Sequence, residues 1–173
     1  PQLIDSSDGL LLSFGGLTIQ SHLIGHYNFN NIAAAITMGS YFGVDPMNIK
    51  KAIESYIPNN NRSQIIKKET NTIILDAYNA NPTSMMAALK NFIQSSSPNK
   101  IVFLGDMFEL GVTSEEEHQY ISDYIEKYLD GQCYLIGNAF YKTISNVENI
   151  KKYPSFENLK PVLESTSFLN AHV

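Results

Sequence analysis

The sequence predicts an α/β fold, a mostly parallel sheet with helices on both faces, preceded by a smaller segment of different rhythm. Three observations carry this. After residue 62, short apolar runs alternate with stretches of helical period, the pattern of strand–helix units. The runs "TIILDA", "KIVFLGDM" and "QCYLIG" are almost continuously apolar, as strands covered on both faces are. A proline and three asparagines at 58–61 then separate this alternation from what precedes it.

In order, residues 1–24 read as short strands, with "GLLLSF" and "GLTIQS" forming a hairpin or meander. Residues 28–43 place Ile32, Ala33, Ala35, Ile36 and Gly39 at helical spacing, and Gly43 ends that helix. Asp45-Pro46 reads as an N-cap followed by proline in the first turn, opening a helix over "MNIKKAIESYI". The break after Pro58 gives two expected domains, 1–58 and 59–173. "SQIIKKE" and "TIILDA" read as paired strands turning at Glu69-Thr70-Asn71. Residues 83–95 read as a helix, with Ser84 a candidate cap, and "KIVFLGDM" as a strand. A helix over 114–129 follows, with Ser114 and Glu117 at capping-box spacing. "QCYLIG" is a strand, 139–145 a helix, "KYPSF" a short strand and 156–165 a last helix. Residues 168–173 look like the approach to a further strand. The chain begins at Pro1 rather than methionine and is expected to be a piece of something longer.

Composition narrows the function. The 173 residues are 43% hydrophobic, enough for a sizeable core. A net charge of −5 argues against a nucleic-acid partner held on a broad basic face. The single cysteine, Cys133, lies in an apolar run and reads as a buried thiol. No apolar stretch approaches the roughly 20 residues of a membrane span, and no signal peptide is visible, so a cytoplasmic protein is expected.

Ligands in open α/β sheets bind beyond the carboxyl ends of the strands. Asp76, Gly105-Asp106 and Gly137-Asn138 stand at three such ends. Asp76 suits a ribose hydroxyl pair or a metal-bound phosphate, or else a turn. Asn79 and Asn81 offer donor and acceptor together, or simply favour turns. Arg62, the sole arginine, suits a phosphate clamp or a plain surface position. Asp106 and Glu109, in "GDMFELG", suit an ammonium group or a cation, or a solvated loop. His118 lies among glutamates and is read as structural or exposed rather than catalytic. No metal-ligand spacing links the histidines. The sequence holds no P-loop, no G-x-G-x-x-G and no nucleophile elbow.

Together, "GHYNFNNIAAA", "NNRSQ", "DAYNANPTSMMAAL" and "LGDMFELG" resemble, in order and spacing, the Mur ligases. The Y-N-A-N-P-x-S-M turn and the G-D-M-x-E-L-G loop resemble the member that adds D-alanyl-D-alanine to UDP-N-acetylmuramoyl tripeptide in peptidoglycan precursor synthesis. The resemblance implies the end of a central ATPase domain followed by a Rossmann-like C-terminal domain. It implies ATP as cosubstrate and Mg2+, with magnesium ligands mainly outside this chain. By motif it implies nucleotide contacts for Asn28, Asn31, Arg62, Asp76 and Asn79, with Arg62 also catalytic through the phosphates. It implies substrate contacts for Tyr78, Asn81, Ser84, Asp106 and Glu109. Tyr27 stands where the family has histidine, and a phenol has no acid–base role near neutral pH. The partners implied are the UDP-N-acetylmuramoyl tripeptide, D-alanyl-D-alanine and the rest of a parent chain, with neither nucleic acid nor membrane insertion. Competing readings are a folylpolyglutamate synthase-like domain, a phospho-acceptor signalling domain or a noncatalytic α/β module. The signalling reading also expects an acidic pair after the first strand and a late lysine, and neither is present.

Overall fold

The computed structural model describes residues 1–6, 9–59 and 61–173. Asn60, one of the asparagines of the predicted break, lies outside the described residues. The chain divides into two compact units, Pro1–Gln64 and Ile65–Val173.

In the first unit, β1 (Gln2–Asp5), β2 (Leu10–Phe14) and β3 (Leu17–Ser21) form an antiparallel sheet in that order. Gly15 and Gly16 both have positive φ, as a two-residue hairpin turn that matches strand twist requires. Strand alternation sends Leu10, Leu12 and Ile19 to one face. There they pack with Ile32 and Ile36 of α1 (Phe29–Tyr41) and Ile49 of α2 (Pro46–Ser55). Gly39 lets the helices close: a β-carbon there would sit 3.2 Å from the Ile49 side chain. Asp45 caps α2, its carboxylate accepting the Met47 N–H at 2.8 Å, as the Asp-Pro pair predicts.

The second unit begins within β4 (Gln64–Lys68), which pairs with β5 (Asn71–Leu75). The two-residue connection, with Glu69 at φ 55, is too short for a parallel crossover. α3 (Pro82–Gln94), β6 (Lys100–Gly105), α4 (Ser114–Tyr128), β7 (Gly131–Ile136), α5 (Asn138–Lys142), β8 (Ile150–Tyr153) and α6 (Phe156–Ser165) follow. β6, β7 and β8 are parallel and adjacent in that order. Their side chains split between two faces. Val102, Cys133, Leu135 and Ile150 pack under Met85, Met86 and Leu89 of α3, Ile121 and Ile125 of α4 and Phe140 of α5. Ile101 and Tyr134 pack on the other face against Leu159 of α6. Helices therefore cover both faces of a parallel sheet, as the alternation predicts.

The expectation for the tail holds, and two local expectations change. Residues 171–173 pair in parallel with β5 and with β6. Thr72 N–H donates to the Ala171 carbonyl at 2.9 Å, and Ile101 N–H to that of His172 at 2.9 Å. The tail thus fills the gap between the hairpin and the parallel strands. The strand expected in "KYPSF" lies earlier and ends at Tyr153, because Pro154 has no N–H for the ladder. Ser114 does not cap α4. The helix is entered through a 3₁₀ turn, Gly111–Thr113, and its N-cap residue, Thr113, makes no side-chain capping bond.

Candidate functional site

β5 and β6 are both parallel to the tail, so their carboxyl ends lie at one edge of the second unit. Asp76 follows the end of β5 and Asp106 the end of β6.

Between β5 and α3, Asp76, Tyr78, Asn79 and Asn81 are all exposed, and Ser84 is exposed in the first turn of α3. Tyr78 is 63% exposed. Ala80 faces inward onto the core and anchors the segment. The sequence expects Ser84 as the cap; in the structure it shares that task with Asn81. Asn81 is the N-cap, its Oδ1 accepting the Ser84 N–H at 2.9 Å, while the Ser84 Oγ accepts the Asn81 N–H at 3.3 Å. Pro82 occupies the first turn, where its missing N–H costs nothing. The reciprocal pair is a capping box, and it fixes the backbone that presents Tyr78 and Asn79.

The adjacent loop, 105–111, is tied down differently. The two Asp106 oxygens accept the N–H groups of Ala139 and Phe140, each at 2.9 Å. The carboxylate thus satisfies donors at the start of α5 that the helix itself leaves unpaired. Gly137, at φ 126, makes room: a β-carbon there would lie 2.2 Å from the Asp106 Cγ. The resemblance implies a substrate contact for Asp106; the structure gives its carboxylate a capping task. Glu109 is exposed and takes a left-handed backbone at φ 64. His118 is fully buried, its Nε2 accepting the Met107 N–H at 2.9 Å, which gives the structural reading its physical content.

Asn28, Asn31 and Arg62 belong to the first unit. Asn28 is buried, and its Nδ2 donates to the Ile24 carbonyl at 2.8 Å and to the Ser63 Oγ at 3.1 Å. Its Oδ1 accepts from Asn31 Nδ2 at 3.0 Å. The amide expected to face a nucleotide is thus engaged inside the fold, whereas Asn31 and Arg62 are exposed. Ser63, which spacing did not single out, is the hub of this cluster. The adjacent "RS" dipeptide was its only trace in the sequence.

Among the described residues, no three His, Cys, Asp or Glu side chains come together to hold a metal ion. No described helix is long and apolar enough to cross a membrane.

Residues 61–159 match the family model described as Mur ligase, glutamate ligase domain. The UDP-N-acetylmuramoyl-tripeptide--D-alanyl-D-alanine ligase of Treponema pallidum is 32% identical over 139 residues, 80% of this chain and 30% of that protein. The Bacillus subtilis ligase of the same name is 38% identical over 99 residues, covering 56% and 22%. Among solved structures, MurF from Acinetobacter baumannii superposes with a TM-score of 0.79 at 26% identity, covering 95% of this chain and 37% of that one. The chain thus spans less than a third of the length of these two curated relatives.

Proposed function

The chain belongs to the Mur ligase family, and on that premise we propose that it is part of the ligase that joins D-alanyl-D-alanine to UDP-N-acetylmuramoyl tripeptide. The observation that carries this is the exposed turn of Tyr78 and Asn79 after β5, held by the Asn81–Ser84 capping box at the carboxyl edge of the sheet. Relatives bearing that activity in their names align with most of this chain.

The reaction is carboxylate activation. A terminal carboxylate oxygen of the tripeptide takes the γ-phosphoryl group of ATP, and ADP leaves. The free amine of D-alanyl-D-alanine attacks the acyl carbon. The C–O bond to phosphate breaks, inorganic phosphate departs with that oxygen, and the new amide nitrogen gives up its proton. The acyl phosphate is electrophilic enough that no protein nucleophile is required. Positioning and charge neutralisation supply the rate.

Within this scheme Arg62 offers a bidentate donor fork to transferring phosphate oxygens. Asp76 accepts hydrogen bonds from the ribose hydroxyls, and Asn79 and Asn31 offer amide edges to the nucleotide. Tyr78 and Glu109 face the dipeptide, Glu109 as a counter-charge to its ammonium group before deprotonation. Asn81, Ser84, Asp106 and Asn28 act by holding these groups in place. Magnesium would screen the phosphate charge. The family resemblance assigns its ligands mainly to parts of the enzyme outside this chain, and no step here runs through it. A cytoplasmic location follows from where UDP-linked precursors and ATP occur together.

Phosphate release by the full-length protein tests the reading. With ATP and the UDP-linked tripeptide, D-alanyl-D-alanine is expected to trigger release, and residues 1–173 alone to stay at background. Release triggered instead by L-glutamate with a folate, and not by the dipeptide, would overturn it in favour of a folylpolyglutamate synthase.

A further inference from the structure

We propose that Tyr27 and Ser63 form a latch that positions Arg62, making Tyr27 a positioning residue for phosphoryl transfer; this rests on the assignment of Arg62 to the transferring phosphate. The Tyr27 hydroxyl lies 2.8 Å from the Ser63 Oγ, and Asn28 Nδ2 donates to the same oxygen at 3.1 Å. Asn31 Nδ2 in turn donates to the Asn28 side-chain Oδ1 at 3.0 Å. Ser63 is 3% exposed, while its neighbour Arg62 is exposed. The backbone reverses on both sides of that arginine: Asn61 has φ 59 and Ser63 φ 51. Serine takes a left-handed backbone at a cost, and such a conformation persists only where surroundings hold it. The phenol and the Asn28 amide are among the groups that hold it.

The phenol is itself held. Gly25 has φ 82, and a β-carbon there would lie 2.4 Å from Cε1 of the Tyr27 ring. The ring therefore lies directly over a residue that only glycine can supply. A guanidinium presented from a Pro-Asn segment would otherwise have to be ordered in each turnover, at an entropic cost that preorganisation removes. The latch also gives Tyr27 a function that needs no acid–base chemistry.

A double-mutant cycle in the full-length ligase separates this from simple packing. Tyr27→Phe keeps the ring and removes only the hydroxyl. It is expected to lower kcat about ten- to a hundredfold, with the KM for D-alanyl-D-alanine and the melting temperature unchanged. In an Arg62→Ala background the same change should have no further effect. If Tyr27→Phe lowers the melting temperature, Ser63→Gly takes its place in the cycle, because it removes the hydroxyl and accepts a positive φ. Wild-type kcat in Tyr27→Phe, or an equal fold-loss in both backgrounds, would overturn the latch. Wild-type kcat in Arg62→Ala alone would overturn the phosphate assignment, and the latch with it.

Discussion

The backbone N–H of Met107 donates to Nε2 of His118 at 2.9 Å, while Nδ1 of the same ring lies 2.6 Å from the carbonyl oxygen of Ser114. With Nε2 accepting from Met107, Nδ1 is the nitrogen that donates to the Ser114 carbonyl. One buried imidazole thereby ties the two ends of the segment that carries Glu109. The ring also stands edge-on to Phe140, with centroids 4.6 Å apart.

His118→Ala should therefore destabilise the protein by about 2–4 kcal/mol, combining a cavity with a stranded buried N–H. Urea denaturation read by circular dichroism measures this. A change under about 0.5 kcal/mol, the range of an ordinary surface substitution, would mean the ring holds nothing.

Gly137→Ala should cost more than about 1 kcal/mol, because alanine is strained at φ 126 and its β-carbon would collide with the Asp106 carboxylate. Asp106→Asn leaves one oxygen to accept where two accept now. It should cost about 1–2 kcal/mol by leaving a part-buried N–H at the start of α5 without its acceptor. Thermal melts of both variants check the pair. An unchanged melting temperature in Asp106→Asn would show the capping contacts to be energetically idle.

Asn81 and Asn79 should separate, although both are exposed asparagines of one turn. Asn81→Ala removes the cap of α3 and is expected to cost about 0.5–2 kcal/mol of stability. Asn79→Ala should leave the melting temperature unchanged and raise the KM for ATP or the dipeptide in the full-length enzyme. Unchanged constants for every substrate in Asn79→Ala would make the turn purely structural.

Burial, reinforced by the Lys100 ammonium, holds the His172 imidazole below its ordinary value of 6.5. As pH falls through that value the unfolded chain takes up a proton before the folded chain does. Stability is therefore lost between about 6.5 and the lowered folded value, and is level again below it. His172→Gln should flatten the stability profile in that window. Denaturation midpoints of the two proteins between about pH 7 and pH 5 give the comparison, since the carboxylates titrate alike in both. Parallel profiles would show that His172 contributes no proton linkage.

The alternation of apolar strand and amphipathic helix in the second unit was legible because each run obeys one period and each helix has a local stop. Asp45-Pro46 and the Gly15-Gly16 turn were legible for the same reason: the signal lies within two residues. Residues 168–173 were read as the approach to a strand, but their partners were not legible, because the tail pairs with β5 and β6, about a hundred and about seventy positions away. The exposed turn of Tyr78 and Asn79 announced itself by chemistry at the end of an apolar run. Ser63 did not, since its value lies in contacts to Tyr27 and Asn28, more than thirty residues earlier. The cap falls on Asn81 with Ser84 as its reciprocal partner, because the two side chains of a capping box serve the same helix end.

Oxygen transfer tests the central claim most directly. The full-length protein would be given UDP-linked tripeptide carrying oxygen-18 in its terminal carboxylate, together with ATP and D-alanyl-D-alanine. Carboxylate activation through an acyl phosphate predicts that the inorganic phosphate released carries one labelled oxygen, and that the new peptide bond keeps the other. Phosphate free of label, with dipeptide joined or not, would contradict the account.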